Sequence, residues 1–178
     1  MKKLSTQELN RIGTEEYKQS EKNPIIIVLD NLRSLNNIGS IFRTADAFRI
    51  ESIYLCGITA CPPHREIHKT ALGATESVDW KYFENVEDAI YSLKKNSYEI
   101  VAAEQADNST KLQDFLPKEK QRYALVFGNE INGVSPFVVE NADFCVEIPQ
   151  YGTKHSFNVT ISAGIILWDI LFKMNALD

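Results

Sequence analysis

Six short apolar runs recur through the chain at residues 25–29, 52–56, 80–83, 98–103, 123–127 and 144–148. Between most of them lie stretches whose apolar residues fall at helical spacing, and this alternation restricts the fold more than any other feature. The first run, Ile25-Ile26-Ile27-Val28-Leu29, has no polar position at all, so both faces of that strand must be covered. Strands alternating with helices give an α/β architecture, a mostly parallel sheet flanked by helices. Helices are predicted from the spacing of Ile38, Ile41, Phe42, Ala45 and Phe48, near residues 66–72, over 86–95, from Ser135-Pro136 to about 141, and over 158–174. Asn85 is the expected N-cap of the helix at 86–95, with Glu87 and Asp88 in its first turn and two lysines in its last, the charge order that suits a helix dipole. Scattered apolar residues at Leu4, Leu9, Ile12 and Tyr17 suggest a short amphipathic helix in the polar segment 1–23, ended by Asn23-Pro24.

Two polar turns sit where apolar runs stop. Gly128-Asn129-Glu130-Ile131-Asn132-Gly133 follows the run at 123–127, and the segment 149–158 follows that at 144–148. Strand ends that open into polar turns form the usual ligand crevice of an open α/β sheet. In the first turn a carboxylate lies between glycines and could orient a base, a ribose or an arginine; the plainer reading is a turn whose glycines supply φ > 0. In the second, His155-Ser156-Phe157-Asn158 precedes the last helix, and Ser156 or Asn158 could simply cap it. A serine hydrolase is disfavoured, because no Gly-x-Ser-x-Gly elbow accompanies the serine. A third constellation, Asn36-Asn37-Ile38-Gly39 with Arg43 one turn beyond Gly39, reads either as an ordinary helix cap with a solvated arginine or as an anion site at a helix start.

A length of 178 residues suits one domain with a real core. The N-terminus lacks the apolar centre of a signal peptide, and the longest apolar stretch, 161–172, is too short to span a bilayer and contains Asp169, so a cytoplasmic location is expected. Three cysteines, Cys56, Cys61 and Cys145, cannot all pair and read as reduced thiols. A net charge of −5 speaks mildly against a polyanionic partner, although a local basic stripe can coexist with an acidic remainder. Cys61, His64 and His68 have spacing that could suit zinc but no fourth ligand, so no metal is expected. His64, Arg65, His68 and Lys69 read better as a basic patch facing a polyanion. Neither a Gly-x-Gly-x-x-Gly fingerprint after the first run nor a Walker-type loop is present.

In order and position, the three constellations together resemble the SpoU (TrmH-like) family of SPOUT-class RNA ribose 2′-O-methyltransferases. Asn37, Gly39 and Arg43 match the first family motif; 126–130 and Gly133-Val134-Ser135 match the second; Ile148, Pro149, Ser156 and Asn158 match the third. The resemblance spans about residues 25–172. Phe157 stands where the family often has Leu, and Gln150 where it commonly has Met, departures that bear on substrate detail rather than on reactive groups.

The resemblance implies a single SPOUT domain over 1–178, with residues 1–23 a short N-terminal extension, a C-terminal trefoil knot, and a homodimer whose interface includes the last helix. It implies S-adenosylmethionine as cofactor, held largely by backbone near Ala103, Gly128, Ile148 and Phe157. It also implies Arg43, Asn37, Glu130, Ser156 and Asn158 as catalytic residues, with Arg43 either taking the ribose proton or holding a phosphate while another group takes it. Glu130 would orient Arg43 or the substrate. The RNA would be tRNA in preference to rRNA, since no separate RNA-binding domain is visible. Two rival readings stay open: a catalytically idle RNA-binding module on the same fold, and an α/β enzyme acting on a small anionic metabolite.

Overall fold

Ile25, Ile27 and Leu29 point to one side of the first strand and Ile26 and Val28 to the other, and all five are buried because helices cover both faces. The computed structural model describes residues 1–5 and 7–177. Its strands are β1 (Asn23–Asp30), β2 (Ile50–Cys56), β3 (Trp80–Phe83), β4 (Glu99–Ala103), β5 (Thr110–Lys111), β6 (Tyr123–Phe127) and β7 (Phe144–Glu147). They form one seven-stranded sheet in the order β3-β2-β1-β6-β4-β7-β5. Every pairing is parallel, with Ile25 opposite Tyr123 and Leu29 opposite Phe127 across the β1–β6 seam. The α/β expectation is therefore met.

The helices are α1 (Thr14–Gln19), α2 (Leu35–Ala47), α3 (Arg65–Ala71), α4 (Ala74–Ser77), α5 (Val86–Lys95), α6 (Pro136–Asn141) and α7 (Val159–Lys173). Buried residues of α2, α3, α4 and α7 share one core with Ile25, Ile27 and Leu29, whereas those of α5 and α6 share the other with Ile26 and Val28. Asn85 caps α5 as expected, its side chain accepting from the Asp88 amide at 2.8 Å. Burying these apolar side chains contributes on the order of 2 kcal/mol each. The last helix is tied down by polar contacts as well: Lys173 Nζ donates to the carbonyls of Leu112 and Phe115 at 2.7 and 3.0 Å. Among the described residues no helix is long and apolar enough to cross a membrane.

Two local expectations need correction. The segment 1–23 does not form one amphipathic helix: a 3₁₀ turn at Gln7–Leu9 and α1 are separated by Asn10 at positive φ and by Gly13, the N-cap of α1. Leu4 and Leu9 stay exposed and Tyr17 supplies the buried anchor. Helix α2 starts at Leu35, earlier than the apolar spacing alone suggests, because the Ser34 side chain caps it by accepting from the Asn37 amide at 3.3 Å. The segment after β4 carries β5 and a 3₁₀ turn, Leu112–Asp114, which buries Leu112.

Candidate active site

The chain visits β1, β2 and β3 in turn and later crosses to place β6 and β4 on the other side of β1, so the strand order reverses at the centre of the sheet. The carboxyl ends of β1, β4, β6 and β7 gather there, where ligands bind in open parallel sheets. Carboxylates join these ends. Asp30, at the end of β1 and only 1% exposed, accepts from the Ser135 amide at 2.8 Å. Glu104, just past β4, accepts from the Val134 amide at 2.9 Å with one oxygen and from the Gln105 amide at 2.9 Å with the other. Both residues therefore brace the turn that follows β6.

That turn is closed on itself. Asn129 and Gly133 exchange two backbone hydrogen bonds of 2.9 Å, and the Asn129 side chain accepts from the amides of Ile131 and Asn132 while donating to the Asn31 carbonyl at 2.7 Å. Gly133 has φ of +69°, a conformation that favours glycine. A Cβ on Gly128 would lie 2.0 Å from the Gly133 carbonyl carbon, so the close approach that Gly128 permits is to its own turn.

The closed turn carries Glu130 across to the start of α2. Its carboxylate accepts from the amides of Arg33 and Ser34, both at 3.0 Å, and from Asn37 Nδ2 at 3.2 Å. Partial burial pushes the Glu130 carboxyl up, but these hydrogen bonds outweigh it and hold the group below the usual carboxylate range. The anion position at the head of α2 is thus taken by the protein's own side chain rather than left for a phosphate. Asn37 passes the contact on, its Oδ1 accepting from Asn158 Nδ2 at 3.4 Å. Asn158 is the N-cap of α7, and its Oδ1 accepts from the Thr160 amide at 2.9 Å.

A cleft of about 850 Å³ opens beside this chain of contacts. Ala103, Gly128, Ile148 and Phe157 line it, as do Glu130, Ser156 and Asn158. Two glutamines hold its outer loop: Gln105 Nε2 and Gln150 Nε2 both donate to the His155 carbonyl, at 3.0 and 3.4 Å. Residues 151–158 are exposed, Tyr151 almost fully. Asn37 is half-buried and reaches the cleft through Glu130 and Asn158. Arg43 is set apart. It lies exposed on α2, does not line the cleft, and among the described residues has no ion-pair or hydrogen-bond partner, Glu130 included. Glu130 orients the head of α2 instead.

Nothing in the local sequence marks Glu104, Asp30 or Gln105 as parts of one site, and Gln150 stood out only as a departure from the family pattern. Their position just at or beyond strand ends was the available signal. Cys61, His64 and His68 form no metal-ligand cluster among the described residues, and His64 caps α3, its Nδ1 accepting from the Glu66 amide at 3.2 Å.

Residues 24–168 match the model of a family described as the SpoU rRNA Methylase family. The chain is 31% identical over 166 residues to an uncharacterized tRNA/rRNA methyltransferase of Borreliella burgdorferi, covering 92% of this chain and 70% of that one. It is 29% identical to a putative TrmH family tRNA/rRNA methyltransferase of Staphylococcus saprophyticus, covering 90% of this chain and 63% of that protein. Among solved structures, an AdoMet-bound rRNA methyltransferase from Sinorhizobium meliloti superposes with a TM-score of 0.79 at 26% identity, over 88% of this chain and 59% of that one. The A. aeolicus TrmH/SpoU tRNA modifying enzyme gives 0.78 at 27% identity, over 91% and 80%. The chain thus spans less than two thirds of the length of several of its relatives.

Proposed function

The chain belongs to the SpoU rRNA Methylase family, and on that premise we propose that it transfers a methyl group from S-adenosylmethionine to a ribose 2′-hydroxyl of RNA. The observation that carries this reading is the hydrogen-bonded line Glu130–Asn37–Asn158, which draws one residue from each of three distant sequence motifs to one edge of the cleft.

The cleft fits the cofactor. Its volume of about 850 Å³ lies within the range of small-molecule sites. Ile148, Phe157, Val146 and Ile166 supply apolar wall, and the main chain near Ala103, Gly128 and Ile148 supplies donors and acceptors. S-adenosylmethionine, when bound, contributes an electrophilic methyl group on a sulfonium. The chain's residues would do the rest. Glu130 stays ionised and fixes the head of α2, Asn37 and Asn158 hold the edge of the cleft, and Ser156 offers a hydroxyl toward the ribose.

The ribose proton must leave as the new oxygen–carbon bond forms. A guanidinium is a donor-only group that stays protonated. Arg43, exposed and free of ion pairs among the described residues, is best placed to hold an RNA phosphate bidentately, with the proton passing to another acceptor. That assignment favours positioning over proton abstraction by Arg43.

Exposed Ile161, Ile165, Trp168 and Phe172 recur along α7 at spacings of four, three and four, a single apolar stripe. A second copy of the chain is the partner this stripe suits, which supports a homodimer. The parallel order β4-β7-β5 and the return of the 149–158 loop to Gln105 are compatible with a knotted C-terminal segment. Transfer RNA is the substrate class we favour, in keeping with the likeness to the A. aeolicus tRNA modifying enzyme at 27% identity. The test is methyl transfer to separate tRNA and rRNA pools, with the modified nucleosides identified by mass spectrometry.

A further inference from the structure

A second hollow, of about 490 Å³, opens where α3 and α4 pass the first residue of β3. Trp80 forms one wall and packs at the same time against the core. Pro62, Pro63 and Ile67 supply further apolar surface, and His64, Arg65 and His68 line the rim. The His64 ring accepts through Nδ1 from the Glu66 amide, so its neutral form carries the proton on Nε2 as a remaining donor. Two carboxylates are near. Glu66 faces Lys69 at 3.8 Å, and Glu76 also lines the hollow. Arg65 has no ion-pair partner among the described residues.

We propose that this hollow receives an unpaired base of the RNA substrate, stacked on Trp80, with the adjoining phosphate held by Arg65 and the rim histidines. The proposal rests on the RNA reading above. An indole beside proline rings offers apolar surface on which any base can stack, and the Arg65 guanidinium with the ring N–H groups of the rim histidines offers donors to the backbone, with Glu76 the one carboxylate in the lining. An uncharged apolar peptide would leave Arg65 without a counter-charge, whereas a nucleotide satisfies wall and rim together. The hollow is also joined to the main site through α3. Thr70 Oγ1 of α3 donates to the Asn36 carbonyl at 3.1 Å, and a Cβ on Gly39 would sit 2.3 Å from the Ile67 carbonyl oxygen, so α3 packs directly on the head of α2. One RNA strand could therefore be gripped at a fixed offset from Asn37 and Arg43.

The chain has two tryptophans, so its indole N–H signals in a nitrogen–proton correlation spectrum can be assigned with W80F alone. The full chain would be titrated with a six-nucleotide oligouridylate, which keeps adenine out of the main cleft. The Trp80 indole signal should shift saturably, and Trp80→Ala should weaken binding roughly five- to a hundredfold. Arg65→Ala should lower the slope of log affinity against log salt by about one. RNA binding that leaves the Trp80 signal unmoved, or Arg65→Ala with unchanged affinity and salt slope, would overturn the proposal. Calorimetric titration with S-adenosylmethionine separates the two levels: cofactor binding with a static Trp80 removes this site alone, whereas no cofactor binding removes the proposed function itself.

Discussion

Glu130 and Asn37, 93 positions apart in sequence, meet at 3.2 Å between the end of β6 and the first turn of α2. Because the same carboxylate also accepts from two amides at the head of α2, it acts as a covalently attached anion at a helix start. The third motif enters the same cluster through Asn158.

Replacing Glu130 by Gln should therefore weaken the join between β6 and α2. Since Glu130 is exposed, the loss of stability should stay below about 2 kcal/mol in urea unfolding. Its pKa is lower in the folded chain than the ordinary 4.5, so the stabilisation is complete above that value and is lost as pH falls through the depressed folded-state value. The difference between wild type and Glu130→Gln should accordingly be constant from pH 6 to 8 and shrink in acid. A difference that grew on acidification would reverse the sign of this assignment.

Arg43→Ala should abolish most methyl transfer, by about a hundredfold or more, while leaving S-adenosylmethionine binding and thermal midpoint near wild type, because the side chain touches neither cleft nor core. Arg43→Lys should recover part of the rate if holding a phosphate is its role. Full wild-type activity in Arg43→Ala would remove the residue from the mechanism.

Glu104 braces the amide of Val134, and Gly133 stands so close to it that an added Cβ would lie 2.1 Å from Glu104 Oε2. Glu104→Ala should loosen 128–134, seen as faster amide exchange there, and weaken cofactor affinity by roughly tenfold through loss of a charge-assisted hydrogen bond. Unchanged exchange in that turn would show that the closed Asn129–Gly133 bridge needs no brace.

Gly39→Ala is a test of packing rather than chemistry. The new methyl group would lie 2.1 Å from Thr70 Oγ1 and 2.3 Å from the Ile67 carbonyl oxygen, so α2 and α3 must separate. Overpacking of this kind costs about 1–3 kcal/mol, read as a lower midpoint in urea. An unshifted midpoint would mean that the two helices are not in close contact.

Trp168→Glu should leave a folded chain but shift its sedimentation from dimer to monomer, since it places a charge in the exposed α7 stripe. If the wild-type chain already sediments as a monomer at micromolar concentration, the stripe has another partner.

Strands β1, β2, β4 and β6 were legible because their apolar runs are buried on both sides, and α5 because Asn85 and its charge order announce it. The family was legible from three motifs that are each weak alone. What stayed hidden depended on the third dimension. Glu104 and Asp30 act on backbone amides far along the chain, and nothing local marks an amide as needing a partner. Strand β5 is two residues long and polar, defined only by its pairing with β7. Gly128 and Gly39 read locally as turn or ligand-facing positions; both prove to be places where two stretches of backbone come too close for a side chain.

Methyl transfer from labelled S-adenosylmethionine to purified tRNA and rRNA pools, followed by nucleoside mass spectrometry, tests the proposed reaction most directly. The expected result is a 2′-O-methylated nucleoside in the tRNA pool, lost in Arg43→Ala. Label on a base rather than a ribose, or no transfer to either pool by a chain that demonstrably binds the cofactor, would contradict it.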